Sequence, residues 1–224
     1  MSSDTQTQNT ISTPTSTTSI PFLTRYSKPI IYVSTAIIVV FGGFLLYKKW
    51  VVEPKETKAA EAIFKAENYF RKDSFKLALD GRSGEPGFKD IIKKYSGTNA
   101  ANNAKLYAGI CYLQLGDFNN AVKQLEDFDT DAQQVQALAY ARLADAYSEL
   151  NKKDKAVDYY KKAAHHFEKD EYNASEYLFR AAQLLETMNK NKEAVELYQE
   201  VKTKYPKSEK GFQVDKYLAR LGVL

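Results

Sequence analysis

The sequence predicts an all-α protein, in which one membrane-spanning helix precedes a solenoid of paired helices. Three observations support this fold class. An uncharged apolar run lies near the N terminus, the remaining chain is rich in helix-forming residues with few prolines, and one pattern of small and large residues recurs within it. We therefore divide the 224 residues into a polar tail (1–24), a membrane segment with its flanks (25–52) and a repeat domain (53–224).

The excess positive charge lies beside the membrane segment rather than on the repeat domain. The net charge of the chain is +4. Arg25, Lys28, Lys48 and Lys49 against Asp4 give residues 1–50 a charge of +3, which leaves +1 for all the residues that follow. An electrostatic nucleic-acid binder carries its basic residues on the folded domain. The charge distribution therefore argues against a nucleic acid as partner.

The N-terminal part of the chain has the character of a membrane anchor. Residues 1–20 are mostly Ser, Thr, Gln and Asn, so we predict a disordered tail. The run Ile30–Tyr47 has no charge and measures about 27 Å as a helix, close to the hydrocarbon thickness of a bilayer. It starts late and lacks an Ala-x-Ala-like cleavage site, which argues against a signal peptide. A buried core helix is disfavoured because the run has no polar face. We predict an uncleaved single-pass anchor.

The sequence leaves the side of the membrane open. Two basic residues precede the run, and four lysines follow it within residues 48–58. The positive-inside rule alone would keep the repeat domain in the cytoplasm, but long domains can translocate despite flanking charge.

Internal similarity defines the repeat domain. Segments 108–128, 143–163 and 181–201 align, each with a small residue, a large residue three positions later and an alanine twelve positions after the small residue. The small residues allow two helices to approach closely, and we assign these positions to packing within each repeat. The packing positions are Gly109, Tyr112 and Ala121; Ala144, Tyr147 and Ala156; Ala182, Leu185 and Ala194; and Pro206, which closes the last repeat.

Further elements flank these three repeats. Upstream, Ala66, Tyr69 and Ala78 reproduce the spacing in a degenerate first repeat, which contains a glycine-rich insertion over residues 81–87. Downstream, we predict a capping helix that turns a common apolar side towards the last repeat, since a solenoid must cover its open end. That side consists of Phe212, Tyr217, Leu218 and Leu221.

These residues and their spacing resemble the tetratricopeptide repeat, a helix–turn–helix unit of about 34 residues. The resemblance implies a concave face lined by the first helix of each repeat, with protein segments as partners. The groove positions that it implies are Ile63, Leu106, Ala141 and Phe179 at one level and Glu67, Ile110, Asp145 and Gln183 at the next. The lining is apolar with a few acidic groups and holds no Lys, Arg or Asn, which favours an apolar or basic peptide over a carboxylate.

The anchor and the repeats together resemble the membrane-anchored ancillary subunit of the bacterial Sec translocon. That resemblance implies a protein of the bacterial inner membrane with its repeat domain in the periplasm, contacting the translocon or periplasmic chaperones and assisting protein translocation or envelope protein folding. The glycine-rich insertion and the long polar tail depart from this family. The alternative hypothesis is a structural module, in which the repeats or the terminal helix pair identical chains.

The sequence offers no constellation for catalysis, and we predict no catalytic residue, metal or cofactor. The segment from Asp127 to Asp131 resembles the start of an EF-hand loop, but Ala132 and Leu138 replace the required glycine and glutamate. The adjacent pair His165–His166 points about 100° apart on a helix and cannot grip one ion as an i, i+4 pair would. The lone cysteine excludes an intramolecular disulfide and is predicted to pack in the core.

Overall fold

The computed structural model describes residues 21–223, with side chains from residue 31 onward. It confirms the predicted fold class, an all-α repeat protein with one N-terminal helix that is long and apolar enough to cross a membrane. The chain divides after Trp50 into two compact parts. Residues 1–20 of the predicted tail lie outside the described residues.

The first part consists of helix α1 (Pro21–Tyr47), which is followed by a π-helical turn over Lys48–Val52. Within the described residues, helix α1 extends from Pro21, four residues before the predicted membrane segment. From Ile31 to Tyr47 the large apolar side chains of α1 are 48–74% exposed.

The second part contains ten helices and a two-stranded hairpin within the described residues. Three helix pairs correspond to the three aligned segments, and the degenerate first repeat precedes them. The elements are α2 (Glu53–Arg71), α3 (Phe75–Asp80), β1 (Gly81–Arg82), β2 (Glu85–Pro86), α4 (Phe88–Lys94), α5 (Asn99–Gln114), α6 (Phe118–Glu126), α7 (Gln133–Glu149), α8 (Lys153–His166), α9 (Glu171–Thr187), α10 (Asn191–Lys204) and α11 (Glu209–Arg220).

The turn inside each repeat is built in the same way. One residue with a left-handed backbone follows each first helix, seven positions after the small packing residue. Glycine, asparagine and aspartate tolerate this conformation best. These residues are Asp73 (φ 55°), Gly116 (φ 77°), Asn151 (φ 55°) and Asn189 (φ 59°). The next N–H then donates to a carbonyl in the last helical turn, as from Asp117 to Tyr112 (2.9 Å) and from Lys152 to Tyr147 (2.8 Å).

The predicted packing residues lie where two helices meet. The alanines at these positions, Ala121, Ala144, Ala156, Ala182 and Ala194, are all 0% exposed. A Cβ atom on Gly109 would lie 2.5 Å from Cγ of Leu125 on α6, so only glycine permits this approach of α5 to α6. The recurring small residues in the sequence therefore mark the points at which two helices are in contact.

The insertion in the first repeat is the β1–β2 hairpin, which divides the second helix of that repeat into α3 and α4. Its two strands pair Gly81 with Pro86 and Arg82 with Glu85. The Glu85 carboxylate accepts hydrogen bonds from Tyr69 Oη (2.5 Å) and Lys65 Nζ (3.1 Å) on α2 and from Arg82 Nε (2.9 Å). The glycine-rich segment is therefore an ordered hairpin held against α2 through one side chain.

We expect the hairpin to stay docked in acid until well below the usual pKa of glutamate. The bonds from Tyr69, Lys65 and Arg82 lower the pKa of Glu85 from 4.5 to about 2. A lowered folded-state pKa gives stability that is present above the unfolded-state pKa and is lost as the pH falls through the folded-state value. Hydrogen exchange of residues 81–87 should therefore remain protected from neutral pH to below 4.5 and lose protection towards pH 2. The Glu85→Gln chain should lack this dependence, and an equal dependence in both chains would contradict the assignment.

Cys111 on α5 should behave as an inert core residue. Its side chain is 0% exposed, and burial raises the pKa of its thiol to about 12, so the thiol is neutral at physiological pH. We expect no labelling by iodoacetamide at pH 8 in the folded chain and complete labelling in urea. Rapid labelling of the folded chain would contradict this packing.

The C-terminal cap differs from the prediction in two residues, Phe212 and Val214. Val214 and Leu218 are buried, and Tyr217 and Leu221 pack beside them, but Phe212 is 76% exposed. Residues 214, 217, 218 and 221 follow the helical spacing of three to four, whereas residue 212 falls on the opposite side of α11. The prediction that Phe212 faces the last repeat is therefore wrong.

Candidate interaction surface

The predicted groove lies on the face formed by the first helix of each repeat, α2, α5, α7 and α9. We call this surface the A-helix face. The structure corrects the first predicted level, which does not line the groove. Its residues are all buried, with exposures of 3–7%: Ile63, Leu106, Ala141 and Phe179. Leu106 packs in the cluster between α5, α6 and α7, and Ala141 and Phe179 belong to the cluster of the last two repeats. These four residues hold the repeats together and offer no side chain to a partner.

The second predicted level does reach the surface. Glu67, Ile110 and Asp145 are half-buried, and Gln183 is exposed. The sequence interpretation missed the residues directly after the first level, which turn about 100° further around each helix and emerge beside the second level. These missed residues are Phe64, Tyr107, Arg142 and Arg180. The sequence does contain a signal for them, since the positions directly after the first level hold two aromatic residues and two arginines.

The α2–α5 section of the A-helix face is aromatic. Phe64 is 58% exposed, and the Arg71 guanidinium lies 6.0 Å from its ring centroid. Arg71 also pairs with Glu67 at 3.3 Å. Tyr107 on α5 stacks on Phe88, with 5.4 Å between ring centroids. This section presents flat apolar surface beside one neutralised ion pair.

The α7–α9 section is charged and is organised around Asp145. Its carboxylate accepts hydrogen bonds from Tyr160 Oη (2.5 Å), Arg142 Nη1 (2.9 Å) and Arg180 Nη1 (3.4 Å). Burial and the adjacent Asp145 carboxylate raise the pKa of Tyr160, so its hydroxyl remains a donor at neutral pH. The arginines that the sequence interpretation found absent from the groove therefore lie one residue further along the same face.

The charged section continues onto α9 and α11. Glu176 accepts a hydrogen bond from Arg180 Nε (2.7 Å) and pairs with Lys210 Nζ (3.2 Å). Burial would raise the pKa of Glu176, but the two cations outweigh it and lower that pKa. Lys210 Nζ also lies 5.0 Å from the Phe179 ring centroid. These contacts hold α11 against α9 and leave the network partly exposed.

An open cleft of about 380 Å³ lies where the two sections meet, between α5 and α7. Its apolar wall contains Ile110, Leu113 and Phe118. Its polar wall contains Asp145 with its ion-pair partner Arg142, and the exposed Glu149. Unlike Asp145, Glu149 forms no ion pair with any described residue. The cleft thus combines an apolar surface with one unneutralised carboxylate, which suits an apolar side chain that has a basic neighbour.

A second cleft of about 240 Å³ lies between the N-terminal ends of α7 and α9. Val135, Leu138, Phe167 and Tyr177 provide most of its apolar lining. It adjoins the connection between α8 and α9, which ends at Asp170.

The two histidines have different surroundings. His165 lies beside two glutamates that the sequence interpretation did not consider. Its Nε2 lies 2.8 Å from Glu200 Oε1, and His165, Glu168 and Glu200 each offer one ligand atom within 4.8 Å of the others. Lys204 Nζ contacts the two carboxylates at 3.1 and 3.0 Å, so an ion would have to displace an ammonium group. The His166 ring instead packs edge-on against Tyr140.

The acidic segment after α6 is a loop fastened to α5. The carbonyl oxygens of Asp127 and Asp129 accept hydrogen bonds from Lys105 Nζ (2.8 Å) and Asn102 Nδ2 (2.7 Å). The three aspartates of this loop are exposed. Two of its carbonyls therefore serve the packing of α5 against the loop.

Comparison with known proteins agrees with this architecture. The family model described as a tetratricopeptide repeat-like domain matches residues 21–221. No curated protein matches the chain. Among solved structures, the crystal structure of MamA is similar, with a TM-score of 0.53 and 20% sequence identity, covering 70% of this chain and 85% of that chain. At this identity the similarity to MamA concerns the fold alone.

Proposed function

The chain belongs to the tetratricopeptide repeat-like family, and from this premise we propose that it is a membrane-anchored scaffold that binds a segment of another protein on the A-helix face. Folds of this type serve as scaffolds for protein–protein interaction. The observation that carries the proposal is the open cleft between α5 and α7, with its apolar wall and the unpaired carboxylate of Glu149.

The chemistry of the cleft favours a particular kind of segment. Ile110 and Leu113 would receive an apolar side chain, and Glu149 would pair with a Lys or Arg beside it. The aromatic section with Phe64 extends the apolar surface towards α2. An extended peptide or an amphipathic helix with apolar and basic residues at these spacings fits this arrangement.

We propose α1 as the anchor of this scaffold. Its apolar side chains are exposed along the described helix, including Val39 (67%) and Val40 (73%), and a bilayer would remove them from water. Tethering then raises the effective concentration of the repeat domain for partners in the same membrane.

The resemblance to the ancillary Sec-translocon subunit supports a finer assignment. We place the protein in the bacterial inner membrane with its repeat domain in the periplasm, where it assists translocation or envelope protein folding. The translocon or periplasmic chaperones would be the partners. A reporter fused after Leu224 tests the side of the membrane, and activity restricted to the cytoplasm would refute the periplasmic assignment.

Site-specific photocrosslinking tests the binding surface. A photoreactive residue at Gln114, which lines the cleft, should form adducts with a second protein in membranes, whereas the same residue at Lys192 on α10 should not. Glu149→Lys should reduce the Gln114 adduct, because it places a cation where the partner carries one. Equal adducts from Gln114 and Lys192 would refute binding at the cleft.

A further inference from the structure

The outer side of α11 carries an exposed aromatic ring that packing within the chain does not explain. Phe212 is 76% exposed, compared with 64% for Tyr172 and 58% for Phe64. The opposite side of the helix buries Val214 and Leu218 against the last repeat. None of the described residues covers the side that carries Phe212.

Two opposite charges flank this ring on the same side of the helix. Glu209 lies three residues before Phe212 and Lys216 lies four residues after it, spacings that place side chains on one face. Lys216 forms no ion pair with any described residue. The Glu209 carboxylate accepts a hydrogen bond from Gln213 Nε2 (3.1 Å), which leaves its charge unneutralised. We call Glu209, Phe212, Gln213 and Lys216 the α11 outer face.

We propose that the α11 outer face binds the same face of a second copy of this chain, with the two helices antiparallel. A two-fold axis near Phe212 and Gln213 brings the two Phe212 rings together and sets Glu209 of each copy opposite Lys216 of the other. The two charges are separated by about 10.5 Å along the helix, so both ion pairs form at once. A parallel arrangement would oppose like charges.

The charges of the α11 outer face are self-complementary, which favours a second copy of the chain as the occupant. A two-fold interface uses the same patch on both copies, so a negative group and a positive group must lie on either side of the axis. The α11 outer face meets this requirement with an apolar centre. A lipid surface or a strongly charged partner would instead favour charges of one sign.

This contact is small, so the two copies should pair chiefly when both are held in one membrane. Tethering makes the second encounter effectively intramolecular and raises the local concentration. The dimer therefore depends on the anchor proposed for α1 but not on binding at the cleft. Loss of the partner adduct at Gln114 would leave this pairing unaffected.

Disulfide crosslinking in membranes tests the pairing on the full chain. Gln213→Cys retains Phe212 and places a thiol beside the proposed axis, and Gln199→Cys provides an exposed control on α10. The native Cys111 is buried and adds no background. After mild oxidation we expect about ten-fold more linked dimer from Gln213→Cys than from Gln199→Cys. Similar yields from the two chains would overturn the proposal.

Charge reversal then tests the antiparallel arrangement in the Gln213→Cys background. Lys216→Glu alone, or Glu209→Lys alone, opposes like charges at both ends and should lower the dimer yield by about five-fold. The combined Glu209→Lys and Lys216→Glu change restores opposite charges and should restore the yield. Crosslinking that is indifferent to the single reversals, or that stays low in the combined variant, would overturn the proposal.

Discussion

Replacing Gly109 by leucine is expected to lower the free energy of unfolding by roughly 1–3 kcal/mol, because it overpacks the contact between α5 and α6. The added Cβ alone would lie 2.5 Å from Cγ and 2.8 Å from Cδ2 of Leu125, which is itself only 3% exposed. Because Leu125 is buried, relieving the overlap requires its side chain or one of the two helices to move. Thermal unfolding of the full chain should show a loss of about 2–4 °C for each kcal/mol.

A double-mutant cycle isolates this contact from other effects of the substitution. Leu125→Ala removes the side chain that the new leucine meets, so Gly109→Leu should cost less in that background than in the native chain. Costs that simply add in the double variant would show that Gly109 and Leu125 do not meet. The alignment of Gly109 with Ala144 and Ala182 would then lose its physical basis.

The repeat fold could be predicted because its determinants are local and recur. Gly109, Ala144 and Ala182 mark where the first helix of a repeat touches the second, and Gly116 and Asn151 mark the turn that follows. Each of these requirements acts within about twenty residues of sequence. Repetition then separates the pattern from chance, so the structure follows the expected spacing closely.

The exposed surface could not be predicted with the same accuracy, because it depends on small rotations and on distant partners. One residue along a helix turns a side chain by about 100°, which separates the buried Ala141 from the half-buried Arg142 in the charged network. The partners of Asp145 include Arg180, 35 residues away in the next repeat. Phe212 shows the same limit, since a list of apolar residues in one helix does not fix the side on which each lies.

Replacing Gly211 by alanine is expected to release α11 from the last repeat. An alanine Cβ would overlap the carbonyl oxygen of Tyr205 and lie 3.0 Å from backbone atoms of Pro206, so no rotation of a side chain relieves the contact. The helix must move, and the burial of Val214 and Leu218 is lost, at a local cost of roughly 3–5 kcal/mol. In repeat proteins each element depends on its neighbours, and α11 contacts α9 and α10, so the effect should be confined to α9, α10 and α11.

Hydrogen exchange distinguishes release of α11 from its stabilisation. In a helix without the close contact, alanine in place of glycine stabilises by about 1 kcal/mol, so α11 would exchange more slowly in the variant. With the contact present, peptides from Glu209–Arg220 should exchange faster while those from α5 and α7 keep the rates of the native chain. Lys216→Ala on the exposed side of α11 is the control and should change stability by less than about 0.5 kcal/mol. The pairing proposed for the α11 outer face requires α11 to be packed on the last repeat. Gly211→Ala should therefore also abolish the Gln213→Cys crosslink.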